Sequence, residues 1–133
     1  MIGTVAEDLG GGLDIACAFR AEGLRTLFLF DVPAKSVELS DAVVIAAADA
    51  VEAVDWLRRN GCSQIYVEFG SASVLGAVAE AMSVDTVPIV PSAPHRRRAV
   101  YMGHLFDGST LVADLPRVLR ASLAAWGPPS QDH

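Results

Sequence analysis

Two short stretches of the 133-residue chain gather side chains able to do chemistry. The first is VAEDLGGGLD, residues 5–14, where Glu7 and Asp8 stand directly before Gly10, Gly11 and Gly12, and Asp14 follows. An ionised carboxylate accepts several hydrogen bonds, so a pair at a strand end suits a ligand rich in hydroxyl donors, such as a polyol or sugar acid. The second is PSAPHRRRAVYMGHLFDG, residues 91–108, which sets Arg96, Arg97 and Arg98 in a row within a chain of net charge -6. A guanidinium is a planar fork that grips carboxylate or phosphate through parallel hydrogen bonds.

Each stretch also has a purely structural reading. Asp8 can cap a helix while the glycines make a tight turn, and a basic loop can simply be solvated. A dinucleotide fingerprint fits the first stretch less well. Asp31 lies about twenty residues on, where a ribose-binding acid would stand, but the third glycine position is Ile15. Glu7 and Asp8 would also repel a pyrophosphate. A hydrolase triad drawn from Ser71, His104 and Asp8 lacks the G-x-S-x-G elbow. The G-x-x-x-x-G-K-[ST] pattern is absent, and Lys35 is the one lysine beside nine arginines.

Strand-like runs alternate with helix-period segments, and these elements must position the two stretches. MIGTVA (1–6), residues 25–31, 42–48, 64–69 and 86–90 read as strands; 42–48 lacks alternation, which implies burial on both faces. Residues 11–23, 49–61, 71–83 and 115–127 read as helices, with Asp49 as an N-cap, Gly23 and Gly61 as stops and Pro116 in a first turn. Residues 99–106 and 109–114 read as a hairpin around Asp107-Gly108. The expectation is an α/β fold of three layers: a mostly parallel sheet with helices on both faces, plus a small β-hairpin near the C-terminus. It forms a single domain over 1–127 with a polar tail, 128–133. Loops 7–12, 69–73 and 91–98 follow strands, so a shared site at the C-terminal edge of the sheet is expected.

Composition narrows the function. The chain is 52% hydrophobic and 20% charged, enough for a packed core. Its longest apolar runs, 26–30 and 42–48, are too short to cross a bilayer, and Met1 leads into a strand without a basic leader region. Cys17 and Cys62 form no C-x-x-C pair, which fits a cytoplasmic protein without zinc or disulfides. The acidic balance argues against nucleic acid as partner.

AEDLGGGLD resembles the A-D-D-L-T-G-A-x-D motif that opens the four-carbon acid sugar kinases, the DUF1537 family. GLRTLFLFD is similar to that family's second strand. PSAPHRRRAVYMGHLFDGSTL resembles P-A-F-P-x-x-G-R-x-x-x-x-G-x-L-x-V-x-G-x-x-L, with Pro91, Pro94, Arg98, Gly103, Leu105, Gly108 and Leu111 on matching positions. The resemblance implies an N-terminal domain that binds a sugar acid, followed in that family by an ATP-binding domain. Carried over residue by residue, it implies substrate contacts from Glu7, Asp8, Gly10, Gly11, Asp14, Ser71, Ser73, Arg97 and Arg98.

The departures are specific. Glu7 stands for an aspartate, Gly10 for a threonine and Arg97 for a glycine. Of the family's K-x-D-S-T-L-R-G, only Ser71 or Ser73 and Gly76 remain within 67–76, and no ATP domain follows before His133. The resulting expectation is a non-catalytic relative with no cofactor or metal of its own, binding a small hydroxy-carboxylate or phosphate anion. Two alternatives are a substrate-binding half that works with a separately encoded ATP-binding domain, and an interaction module with a vestigial cleft. A homodimer through the hairpin is also expected, because Val100, Met102, Leu105, Phe106, Leu111 and Val112 would otherwise face water.

Overall fold

A computed structural model of the chain describes residues 1–68 and 73–124, apart from the side chains of 73 and 121–124. The elements run β1 (Ile2–Ala6), α1 (Leu9–Ala21), β2 (Thr26–Phe30), β3 (Ala42–Ala46), α2 (Ala50–Arg59), β4 (Gln64–Glu68), α3 (Ser73–Met82), a 3-10 turn (Pro94–Arg96), β5 (Arg98–Tyr101), β6 (His104–Asp107), β7 (Thr110–Asp114) and α4 (Leu115–Ala124). Backbone contacts group them into two compact units, Met1–Val74 and Leu75–His133. The tail 128–133 lies outside the described residues.

The first unit holds a four-stranded sheet in the order β2-β3-β1-β4, with every pair parallel. Val43, Val44 and Ile45 of β3 are wholly buried, as an apolar run without alternation requires. Two glycines show where the helices lie. A Cβ at Gly3 would meet the Leu57 side chain of α2, whereas one at Gly12 in α1 would meet Phe28 and Ala6. Residues 3 and 6 of one strand point to opposite faces, so α1 and α2 cover opposite sides of the sheet. This is the expected three-layer arrangement.

Local chemistry sets the helix starts. Asp8 accepts the Gly11 N–H at 2.7 Å, and Asp49 accepts the Glu52 N–H at 3.0 Å. Gly23 and Gly61, with φ of 85° and 88°, follow the C-caps of α1 and α2 in the left-handed conformation that glycine adopts without strain. At the N-terminal end of the sheet Arg25 grips Asp41 through Nε and Nη2 at 3.0 and 2.9 Å. This pairing holds the Asp41 carboxyl down to about 2.

The second unit carries an antiparallel sheet in the order β5-β6-β7. Two expectations are corrected here. Residues 99–106 are not one arm of a hairpin: the chain reverses at Met102-Gly103, whose φ values of 47° and 81° suit a two-residue type I′ turn. The result is a three-stranded meander. Residues 86–90 form no strand: Pro88 lacks an N–H, and Val87 and Val90 are exposed. Leu115 N–H donates to Gly103 O at 2.9 Å, tying α4 to the first turn of the meander. Among the described residues, no helix is long and apolar enough to cross a membrane.

Candidate functional site

β1 lies between β3 and β4, so its C-terminal end is held from both sides. Ala47 N–H donates to Ala6 O at 3.1 Å, and Glu7 N–H donates to Glu68 O at 3.3 Å. Glu7 is half-buried at this edge, while Asp8 and Gly10 are exposed. Asp8 has extended backbone, with φ -137°, and its Oδ1 is committed to the Gly11 N–H as the cap of α1. The capping reading of Asp8 therefore holds. It also places the carboxylate at the mouth of the strand end, where the functional reading needs it.

Glu68, which sequence reasoning did not single out, completes this edge. It pairs in register with Ala6. Its carboxyl lies so close to Gly11 that a Cβ there would come within 3.0 Å of Oε1, Oε2 and Cδ. Glu68 Oε2 is buried without a hydrogen-bond partner among the described residues. Burial first, then the charges of Asp8 and Glu7, raise the Glu68 carboxyl above the ordinary glutamate value. One signal for it was present in the sequence: an acid closing the strand run QIYVE, at the edge where ligands of parallel sheets bind.

The structure thus brings Glu7, Asp8, Gly10 and Gly11 together and adds Glu68. Asp14 is exposed on α1, three residues after Gly11 and four after Gly10, which sets it on the same side of the helix. Ser71 lies outside the described residues. Ser73 is the first residue of α3, and its side chain lies outside them too.

Arg97 and Arg98 belong to the second unit. Arg97 has φ 60°, the left-handed conformation that explains why a glycine suits this position in the similar motif. Its carbonyl accepts the Gly108 N–H at 2.9 Å, and its guanidinium lies over Gly108, Nη2 falling 3.0 Å from where a Cβ would be. Arg98 opens β5, exposed, opposite Asp107. Ala93 and Arg98 exchange backbone hydrogen bonds at 3.0 and 3.1 Å, closing the 3-10 turn into a tight loop. His104 Nδ1 lies 3.0 Å from Met102 O, a role inside the meander.

A cavity of about 460 Å³ opens at the opposite end of β2, lined by Arg20, Arg25, Thr26, Glu38 and Ser40 among others. Its Arg25 is already neutralised by Asp41, and it lies at the N-terminal edge of the sheet, remote from the carboxylates. The strand-end carboxylates are therefore the better candidate site. Among the described residues, no cluster of three or more His, Cys, Asp or Glu is arranged to hold a metal ion.

Comparison with known proteins gives this edge a context. The family described as "Sugar-binding N-terminal domain" matches residues 2–118. The chain is 34% identical to a 3-oxo-tetronate kinase of Burkholderia multivorans, over 84% of its own length and 31% of the kinase. It is 31% identical to a 3-oxo-tetronate kinase of Escherichia coli, over 85% of its length and 35% of that protein. A crystal structure of a Haemophilus influenzae protein of family DUF1537 superimposes with a TM-score of 0.79 at 28% identity, covering 90% of this chain and 38% of that one. The chain thus spans about a third of the length of the relatives it matches. A match over residues 2–118, with the carboxylate pair and Gly11 at the end of the central strand, shows that the chain belongs to the family of sugar-binding N-terminal domains of the four-carbon acid sugar kinases.

Proposed function

We propose that this chain binds a four-carbon hydroxy-carboxylate and transfers no phosphoryl group by itself. The observation that carries this reading is the Glu7–Asp8 pair ahead of Gly11 at the end of β1, within the 2–118 match to the sugar-binding family and in a stretch that resembles the first motif of the four-carbon acid sugar kinases. Carboxylates accept hydrogen bonds from sugar hydroxyls. Arg98, on the matching position of the similar family's other motif, has the planar fork that suits a carboxylate. Phosphoryl transfer needs a phosphate cradle and bound metal, and the sequence contains no P-loop lysine pattern. Cys17 and Cys62 are both free thiols, in keeping with a reducing cytoplasm.

Calorimetric titration with erythronate tests the proposal. Binding is expected, and Glu7→Gln is expected to weaken it about 10-fold, the worth of one charge-assisted hydrogen bond. No heat with any tetronate overturns the ligand. Turnover of ATP on a tetronate by the purified chain overturns the non-catalytic reading.

A second reading is favoured by the match to a sugar-binding N-terminal domain and by relatives that are kinases. The chain then supplies the sugar-acid part of a kinase and acts together with an ATP-binding part. Phosphorylation that appears only on adding an ATP-binding chain encoded beside this one would establish it.

A further inference from the structure

We propose that Glu68 sets the polarity of the ligand at this site. Its carboxyl lies against the first turn of α1 beside Glu7 and Asp8, so the ligand meets this edge with hydroxyls and keeps its charged end away from it. The inference rests on the sugar-acid reading for the identity of the ligand, and on geometry alone for the exclusion of anions.

A strand that runs through a glycine-rich loop into a helix is ordinarily an anion cradle, because the first-turn N–H groups and the helix dipole favour negative charge. Here Asp8 Oδ1 already holds the Gly11 N–H at 2.7 Å, and the Glu68 carboxyl adds negative charge against Gly11 on the side where another residue would carry its Cβ. The pairing of Glu68 with Ala6 places it next to the strand end that carries Glu7 and Asp8. An incoming carboxylate or phosphate would meet three acidic side chains at once. A hydroxyl would instead find carboxylate acceptors in Glu7 and Asp8 at this edge.

Amide chemical shifts of the ¹⁵N-labelled chain, followed during titration with inorganic phosphate and separately with erythronate, test the inference. In the wild type, phosphate is expected to leave the Gly10 and Gly11 amides unmoved. In Glu68→Ala the same amides are expected to shift with phosphate, its apparent affinity rising about 10-fold as one of the three charges at this edge is removed. Glu68→Gln, which keeps the bulk and removes the charge, carries the same expectation if the alanine variant fails to fold. Wild-type amides that respond to phosphate, or variants whose amides do not, would overturn the proposal. A wild type that takes no erythronate while the variant gains phosphate sinks the sugar-acid reading and leaves the role of Glu68 standing. Erythronate binding together with a wild-type phosphate response at Gly10 and Gly11 does the reverse.

Discussion

The Glu68 carboxyl at the end of β4 packs directly on the Gly11 backbone in the first turn of α1, in space that a Cβ would occupy. Alanine normally improves on glycine inside a helix by about 0.5–1 kcal/mol. At this position that gain is expected to be offset, because the Glu68 carboxyl, the far end of a flexible side chain, must swing aside to admit a Cβ. Gly11→Ala alone should change stability by less than about 0.5 kcal/mol. In a Glu68→Ala background the same substitution should recover the ordinary gain of about 0.5–1 kcal/mol, and that difference is the coupling the double-mutant cycle reads. Urea melts of the four proteins supply the cycle, and additive effects would reject the contact.

The raised Glu68 carboxyl predicts a pH dependence with a definite sign. Its folded-state value lies above its unfolded one, so the folded chain holds this proton more tightly. The stabilisation is complete below the ordinary glutamate value of 4.5 and is lost as pH rises through the folded value. Wild-type stability minus that of Glu68→Gln is therefore expected to fall as pH rises from about 4 toward neutrality. Denaturation midpoints at a series of pH values measure this, and a difference that stays flat or climbs would contradict it.

Arg97 holds a φ of 60° without being a glycine. Left-handed backbone costs an ordinary residue about 1 kcal/mol, so Arg97→Gly is expected to leave stability unchanged or raise it by up to about 1 kcal/mol, less the lost packing on Gly108. Arg97→Val, branched at Cβ, should lower the melting temperature. Thermal unfolding of the pair checks the order, and a glycine variant less stable than the valine variant would refute the backbone account.

Self-association is expected through the meander. The register sets Ala99, Phe106 and Leu111 on one face together with Tyr101, and Tyr101 and Leu111 are 69% and 56% exposed. β7 is also an edge strand whose unpaired groups can accept a second copy. Light scattering at micromolar concentration is expected to show twice the 14.0 kDa chain mass, and Leu111→Asp to return it to one. A wild-type monomer rejects the dimer. A dimer that survives Leu111→Asp rejects this face as its seam.

Much of this was legible in the residues. Asp8 and Asp49 read as helix caps because capping is decided within three residues of chain. Val43, Val44 and Ile45 read as a doubly covered strand because a run without alternation has no polar face to offer water. The family likeness rested on spacing, which a linear sequence displays directly. What required the fold is non-local. Residues 86–90 have the composition of a strand, but a strand exists only where another backbone pairs with it, and none among the described residues does. Met102-Gly103 closes a turn that no strong turn pair announces, because the strands on either side select it. Glu68 reads as one acid at the end of a strand run. Only the parallel pairing of β4 with β1 brings its carboxyl onto Gly11, fifty-seven positions earlier in the chain, where the absence of a side chain leaves it room.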